Sequence, residues 1–234
     1  MSLPDAELSR IVALDAPVLC VDTCTLLDVV RDIARETVVL SDAKAGLALL
    51  AAAEGRAELV VFMAEQVAIE LSSHIDAIID EALRGLERFR SQAQRIHDVA
   101  TAYGAQGNLC TEHLDGHVSR AQDILDRWKN IASVVPHNDG VSSRAFKRVN
   151  EPRTPARRGK ESMKDCVIVE AYLELARQLR SAGATKPIVF ASSNTKEYFE
   201  ANTRHLPADF ASDLDQVDMG YAPNFGAAQH LFGV

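Results

Sequence analysis

The chain is poor in several things, and each shortage removes a class of function. It has four cysteines in 234 residues, Cys20, Cys24, Cys110 and Cys166, with no pair of CxxC knuckles. A zinc ribbon is therefore not expected, and a chain of this length does not depend on a disulfide framework. Reduced, mostly buried thiols are the expectation. No run of about 18 apolar residues occurs, so no membrane-spanning helix is expected. The start MSLPDAELSR has neither the basic stretch nor the apolar run of a signal peptide, and a cytoplasmic protein is expected. Positive charge is also scarce: the net charge of −8 argues against a protein that coats nucleic acid over its whole surface.

What is present is ordinary globular material. Hydrophobic residues make up 47% and charged residues 25% of the chain, enough to bury a full core, and one domain over residues 1–234 is expected. The charge is unevenly spread. Residues 141–164 hold Arg144, Lys147, Arg148, Arg153, Arg157, Arg158, Lys160 and Lys164 against Glu151 and Glu161, so eight minus two gives +6 and leaves −14 for the remainder. Pro136, Pro152 and Pro155 stand in the same region, which reads as an exposed basic loop over about 136–164. Its one aromatic, Phe146, offers little for base stacking.

Apolar periodicity gives the elements. Residues 16–21 (APVLCV) predict a buried strand ending at Asp22, with Thr23 or Thr25 capping a helix that runs through Leu26, Leu27, Val29, Val30 and Ile33. A helix is predicted over 43–53, a strand over 57–62, and a long helix from residue 64 towards 102. A further amphipathic helix spans about 112–134, so that roughly 75–135 forms a helical insertion. Helical spacing resumes over 162–183, a strand follows at 186–191, and a last strand is placed at 214–219 before a short terminal helix. No internal repeat or low-complexity tract is present. Nearly all-apolar strands separated by helices imply a three-layer α/β/α architecture with a central, mostly parallel sheet. In such sheets the active crevice lies beyond the carboxyl ends of the strands.

Acidic residues fall where that crevice should be. Asp22 follows the first strand, Glu70 lies about two turns into the helix after the second, and 192–197 follows the strand at 186–191. Asp165 has Ile168, Val169 and Tyr172 at i+3, i+4 and i+7, which turns its carboxylate towards the core side of its helix. Singly, each acid has an ordinary reading: Asp22 and Asp165 as helix caps, Glu70 as a surface partner of His74, Glu197 as a first-turn acid. Together they supply the hard oxygen donors that Mg²⁺ or Mn²⁺ prefers.

The segments VLCVDTCTLLDVV, the helical VAIEL, KDCVIVEAYLELA and IVFASSNTKEYF resemble, in order, the four acidic motifs of PIN-domain nucleases. The likeness spans almost the whole chain and is closer to the larger bacterial PIN-like proteins than to the small toxin type. It implies a metal-dependent endoribonuclease in which Asp22, Glu70 and Asp165 hold one or two Mg²⁺ or Mn²⁺ ions, with Asn194 and Glu197 at the variable fourth position. Ser192 matches the family's usual hydroxyl residue and is taken with Arg157, Arg158, Lys160 and Lys164 as substrate-binding. Single-stranded RNA, a homodimer and an antitoxin or inhibitor protein are the partners it brings with it. Cys24 stands where the family often has Asn or Ser, and Asn194 where it often has Asp.

Two other readings stay open. An RNA- or partner-binding PIN fold with weakened catalysis is favoured by Asn194 in place of an acid. A phosphatase of the haloacid-dehalogenase type also starts with an apolar strand ending in Asp, but it expects a second Asp where Cys24 stands.

Overall fold

The structure is a computed structural model and describes residues 3–55, 58–157 and 162–233. Among these the chain runs α1 (Asp5–Leu14), β1 (Val18–Val21), α2 (Thr23–Leu27), α3 (Leu40–Gly55), β2 (Val60–Ala64) and α4 (Glu65–Ala102). A short 3-10 turn (Glu112–Leu114) leads to α5 (His117–Ile131), β3 (Ser133–Val135), α6 (Asp139–Asn150) and α7 (Met163–Ser181). The chain ends with β4 (Ile188–Ala191), α8 (Thr195–Tyr198), α9 (Ala208–Asp215), β5 (Met219–Ala222) and α10 (Phe225–Phe232).

The five strands form one parallel sheet in the order β3-β2-β1-β4-β5. β1, β2 and β4 are buried along their whole length, as expected for strands covered by helices on both faces. α7 packs against β2 with α1, α4 and α6 around it, while α10 packs against β4 and β5 with α3 beside it, which gives the three-layer α/β/α architecture read from the sequence. The order places β1 at the switch point. From β1 the chain moves outward to β2 and β3, then returns on the other side as β4 and β5, so the connections after β1 and β4 diverge and leave a crevice at their carboxyl ends.

Several elements depart from the sequence expectation. The α2 helix stops at Leu27 rather than continuing to Ile33, and its cap is Asp22 itself, which accepts from the Thr23 N–H, rather than Thr23 or Thr25. The helix expected over 112–134 is interrupted at Gly116, which has φ 65°, and its last residues instead form the edge strand β3. The final strand lies at Met219–Ala222, not 214–219, because Leu214 belongs to the buried face of α9 with Phe210. The region read as an exposed basic loop over 136–164 carries α6, capped by the Asn138 side chain accepting from the Val141 N–H. Val141, Ala145 and Arg148 form its buried face, and α6 lies along α7.

The helix α4 begins at the end of β2 and continues unbroken for 38 residues, about 57 Å at 1.5 Å per residue. Part of the region read as an insertion is therefore the same helix that carries Glu70. Its buried positions end at Leu86. Near that point Gly85 admits the Asp32 side chain: a Cβ there would lie 2.0 Å from Asp32 Oδ2. Gly85→Ala is expected to destabilise the fold by about 1–3 kcal/mol in urea unfolding, because overpacking outweighs the gain in helix propensity. Unchanged or increased stability would show that the loop holding Asp32 yields freely.

Among the described residues no helix is long and apolar enough to cross a membrane.

Candidate active site

The site grows from the C-terminal end of β1. Val21 pairs with Ala191 on β4, so the next residues, Asp22 and Ser192, leave the sheet side by side. The Asp22 N–H donates to the Ala191 carbonyl at 2.9 Å, which fixes its backbone to the neighbouring strand. Its side chain is 2% exposed and is held at both oxygens: Oδ1 accepts from the Thr23 N–H at 2.8 Å, and Oδ2 accepts from the Ser192 hydroxyl at 2.5 Å. Each oxygen keeps acceptor capacity for a further ligand.

Glu70 reaches the same end from α4. Its Oε2 accepts from the Thr23 hydroxyl at 2.9 Å and its Oε1 from the Gln66 side-chain amide at 3.1 Å. Thr23 thus bridges the two acids, touching Asp22 through its backbone and Glu70 through its side chain. Tyr172, buried on α7, fixes the strand ends beneath them by donating to the Val21 carbonyl at 2.5 Å and accepting from the Ala64 N–H at 2.9 Å. Neither Thr23 nor Tyr172 was singled out in the sequence for a role at the site; the Tyr at i+7 from Asp165 was visible only as part of an apolar stripe.

Burial dominates the electrostatics. It pushes the Asp22 carboxyl up to about 6, the nearby Glu70 charge pushes the same way, and the Ser192 and Thr23 hydrogen bonds pull it back only in part. Among the described residues no Lys, Arg or His pairs with Asp22. Asp165 is half-buried in the first turn of α7; the Tyr198 hydroxyl is raised first by burial and then by both Asp22 and Asp165, and the Cys24 thiol, pushed up to about 12 by burial, feels both acids as well.

The remaining candidates separate. Ser192 is fully buried with its hydroxyl committed to Asp22, so it orients the acid instead of offering an open contact to substrate. Asn194 is half-buried before α8, and its N–H donates to Ser192 Oγ at 3.3 Å. Glu197 is 5% exposed, with the Arg157 Nε 3.8 Å from its Oε2, and Arg157 also donates to the Lys196 carbonyl. Lys164 is exposed beside Asp165. Arg158 and Lys160 lie outside the described residues.

The rest of the basic region is less free than its charge suggested. Arg148, 4% exposed, binds Glu170 and Asp213; Arg144 binds Glu170 and Glu174; Arg153 binds Asp213. These arginines stitch α6 and the following turn to α7 and α9. Three of the eight cations behind the +6 are thus held by acids distant in the chain.

The sequence profile of the PIN domain matches residues 19–198, well over half of the chain and spanning Asp22, Glu70, Asp165 and Glu197. The chain belongs to the PIN-domain family. No curated protein and no solved structure gives a match to it. PIN domains are generally nucleases, and this fold is of the nuclease type. PIN nucleases typically use divalent metals. Among the described residues no three His, Cys, Asp or Glu side chains stand together as a ready-made metal group. The donor chemistry of this PIN domain nevertheless fits a hard cation, since Asp22 is a buried carboxylate with no cationic partner among the described residues and with a second carboxylate beside it.

Proposed function

We propose that this PIN domain is a Mg²⁺- or Mn²⁺-dependent endoribonuclease that hydrolyses single-stranded RNA. The observation that carries this reading is Asp22: an acid buried at the switch point of a parallel sheet, oriented at both oxygens and without a counter-charge among the described residues. A side chain in that state costs stability unless a cation joins it.

Asp22, Glu70 and Asp165 would hold the ion. When bound, it supplies a Lewis acid that activates water and neutralises charge on the phosphate. The chain's own residues do the positioning. Ser192 and the Thr23 N–H fix the plane of the Asp22 carboxylate, while the Thr23 hydroxyl and Gln66 fix that of Glu70. Such orienting bonds limit the rearrangement needed when a ligand arrives. Lys164, exposed next to Asp165, would attract a substrate phosphate.

The test is cleavage of a labelled single-stranded RNA by the purified protein with Mn²⁺, with and without chelator. Chelator-sensitive internal cuts are expected, and an RNA left whole at every metal concentration would overturn the reading. Lys164→Ala is expected to weaken RNA binding and reduce its logarithmic salt slope by roughly 0.7, the share of one phosphate contact on a single strand. An unchanged slope would remove Lys164 from the interface.

One observation favours a second reading, a PIN fold that binds RNA with weakened catalysis: the Glu197 carboxylate already has the Arg157 guanidinium beside it. Binding without cleavage in the same experiment would select it.

A further inference from the structure

We propose that α4 is an RNA track, holding the single strand along the helix away from the carboxylates; the inference deepens the nuclease reading and rests on it. The helix makes one turn in 3.6 residues, so Arg88, 18 residues beyond Glu70, lies on the same line of α4, about 27 Å along the axis. Arg84 and Arg95 fall within about 40° of that line, roughly 21 and 37 Å from Glu70. All three are exposed. Among the described residues Arg84 and Arg95 make no ion pair, and Arg88 has only Asp32 at 4.0 Å. This contrasts with Arg144, Arg148 and Arg153, which are held by acids.

The open face of α4 from Glu81 to Arg95 also carries Ser91 and Gln92. Its three arginines against Glu81 and Glu87 leave +1 (three minus two) on a chain whose net charge is −8. Beside the arginine line runs an apolar one. Phe89, Ile96 and Tyr103 recur at intervals of seven and are 45%, 59% and 88% exposed, although the buried part of the helix ends at Leu86. Guanidinium groups with exposed apolar side chains beside them, the rings of Phe89 and Tyr103 among these, can hold a single strand by its phosphates while bases stack on the rings. A second copy of the chain laid on this apolar line would set Arg88 and Arg95 along both copies of the seam, like charges facing a shared interface.

The experiment compares Arg84→Gln/Arg95→Gln and Tyr103→Ala with the wild type, using single-stranded RNAs of about 4 and about 20 nucleotides. Affinity is read by fluorescence anisotropy in chelator, and cleavage with Mn²⁺. The double variant is expected to bind the long RNA roughly tenfold more weakly and to lose about 1.4 from the salt slope, with cleavage of the short RNA unchanged. Tyr103→Ala is expected to weaken the long RNA alone, by roughly fivefold or more. Unaltered long-RNA affinity, or equal losses on both lengths, would overturn the track. So would sedimentation showing a wild-type dimer that Phe89→Ser dissociates without changing RNA affinity. A wild type that grips long RNA through these arginines yet cuts neither RNA keeps the track and sinks the nuclease reading.

Discussion

Asp22→Asn is expected to lower RNA cleavage by roughly 10³-fold or more while making the metal-free protein more stable. Both effects come from one carboxylate. The amide keeps the size of the side chain and can still accept from the Thr23 N–H and donate to the Ser192 hydroxyl, but it removes a buried charge that lacks a cationic partner among the described residues. The pH dependence follows from the direction of the shift. An unfolded Asp ionises near 3.9, whereas burial raises Asp22 to about 6. Between those values the folded state binds more protons, so stability falls as pH rises through the window, and the loss is complete above about 6. About two pH units correspond to an upper value of about 3 kcal/mol at neutral pH. In chelator, the variant is thus expected to melt above the wild type at pH 7 and to match it near pH 4. Added Mn²⁺ is expected to raise the wild-type melting temperature and leave that of the variant unmoved. A variant that melts below the wild type in chelator at pH 7 would mean that the charge of Asp22 is already compensated within the fold.

Arg148→Ala carries the second large effect, and it acts on stability. Arg148 donates to Glu170 Oε1 at 2.9 and 2.6 Å, to Asp213 Oδ2 at 2.8 Å and to the Thr154 carbonyl at 2.6 Å, and is 4% exposed. Truncation leaves the 5%-exposed Glu170 with Arg144 on Oε2 but a hole in place of the two strong hydrogen bonds to Oε1. Breaking a buried pair from one side costs about 3–5 kcal/mol, much of it the penalty on the stranded partner. Chemical denaturation should show that loss for Arg148→Ala and a smaller one for Arg148→Met combined with Glu170→Gln, which removes the stranded charge and refills the space. A loss below about 1 kcal/mol for the single variant would show that water or Arg144 replaces the missing guanidinium.

The same network explains where sequence reading succeeded and failed. The runs ending at Val21, Ala64 and Ala191 are apolar throughout because they are covered on both faces, and that signal is local. β3 has three residues, with Val134 48% exposed at the sheet edge, too short for any periodicity. β5 contains Gly220, while the stronger apolar pair Phe210 and Leu214 just before it belongs to α9, which drew the predicted strand towards the wrong residues. In α6, Asn138, Val141, Ala145 and Arg148 do mark a capped helix with one buried face. Arg148 reads as a surface charge until Glu170, 22 residues on, and Asp213, 65 residues on, are brought beside it, so an element tied down by ion pairs looked like a basic loop.

The acids were legible for the opposite reason. Asp22 ends an apolar strand and Glu70 lies in the helix after the next one, so topology alone carries both to the same end of the sheet. What surrounds them was not legible: Ser192 fastening Asp22, the Thr23 bridge and the Tyr172 clamp depend on contacts between residues 47 to 170 positions apart.

The measurement closest to the central claim is an anomalous-scattering map from a crystal of the protein soaked in Mn²⁺. A peak is expected beyond the carboxyl end of β1, with oxygens of Asp22 and Asp165 about 2.1 Å away and Glu70 bound directly or through one water. A map with no peak between these acids, at Mn²⁺ concentrations that support cleavage, would contradict the account.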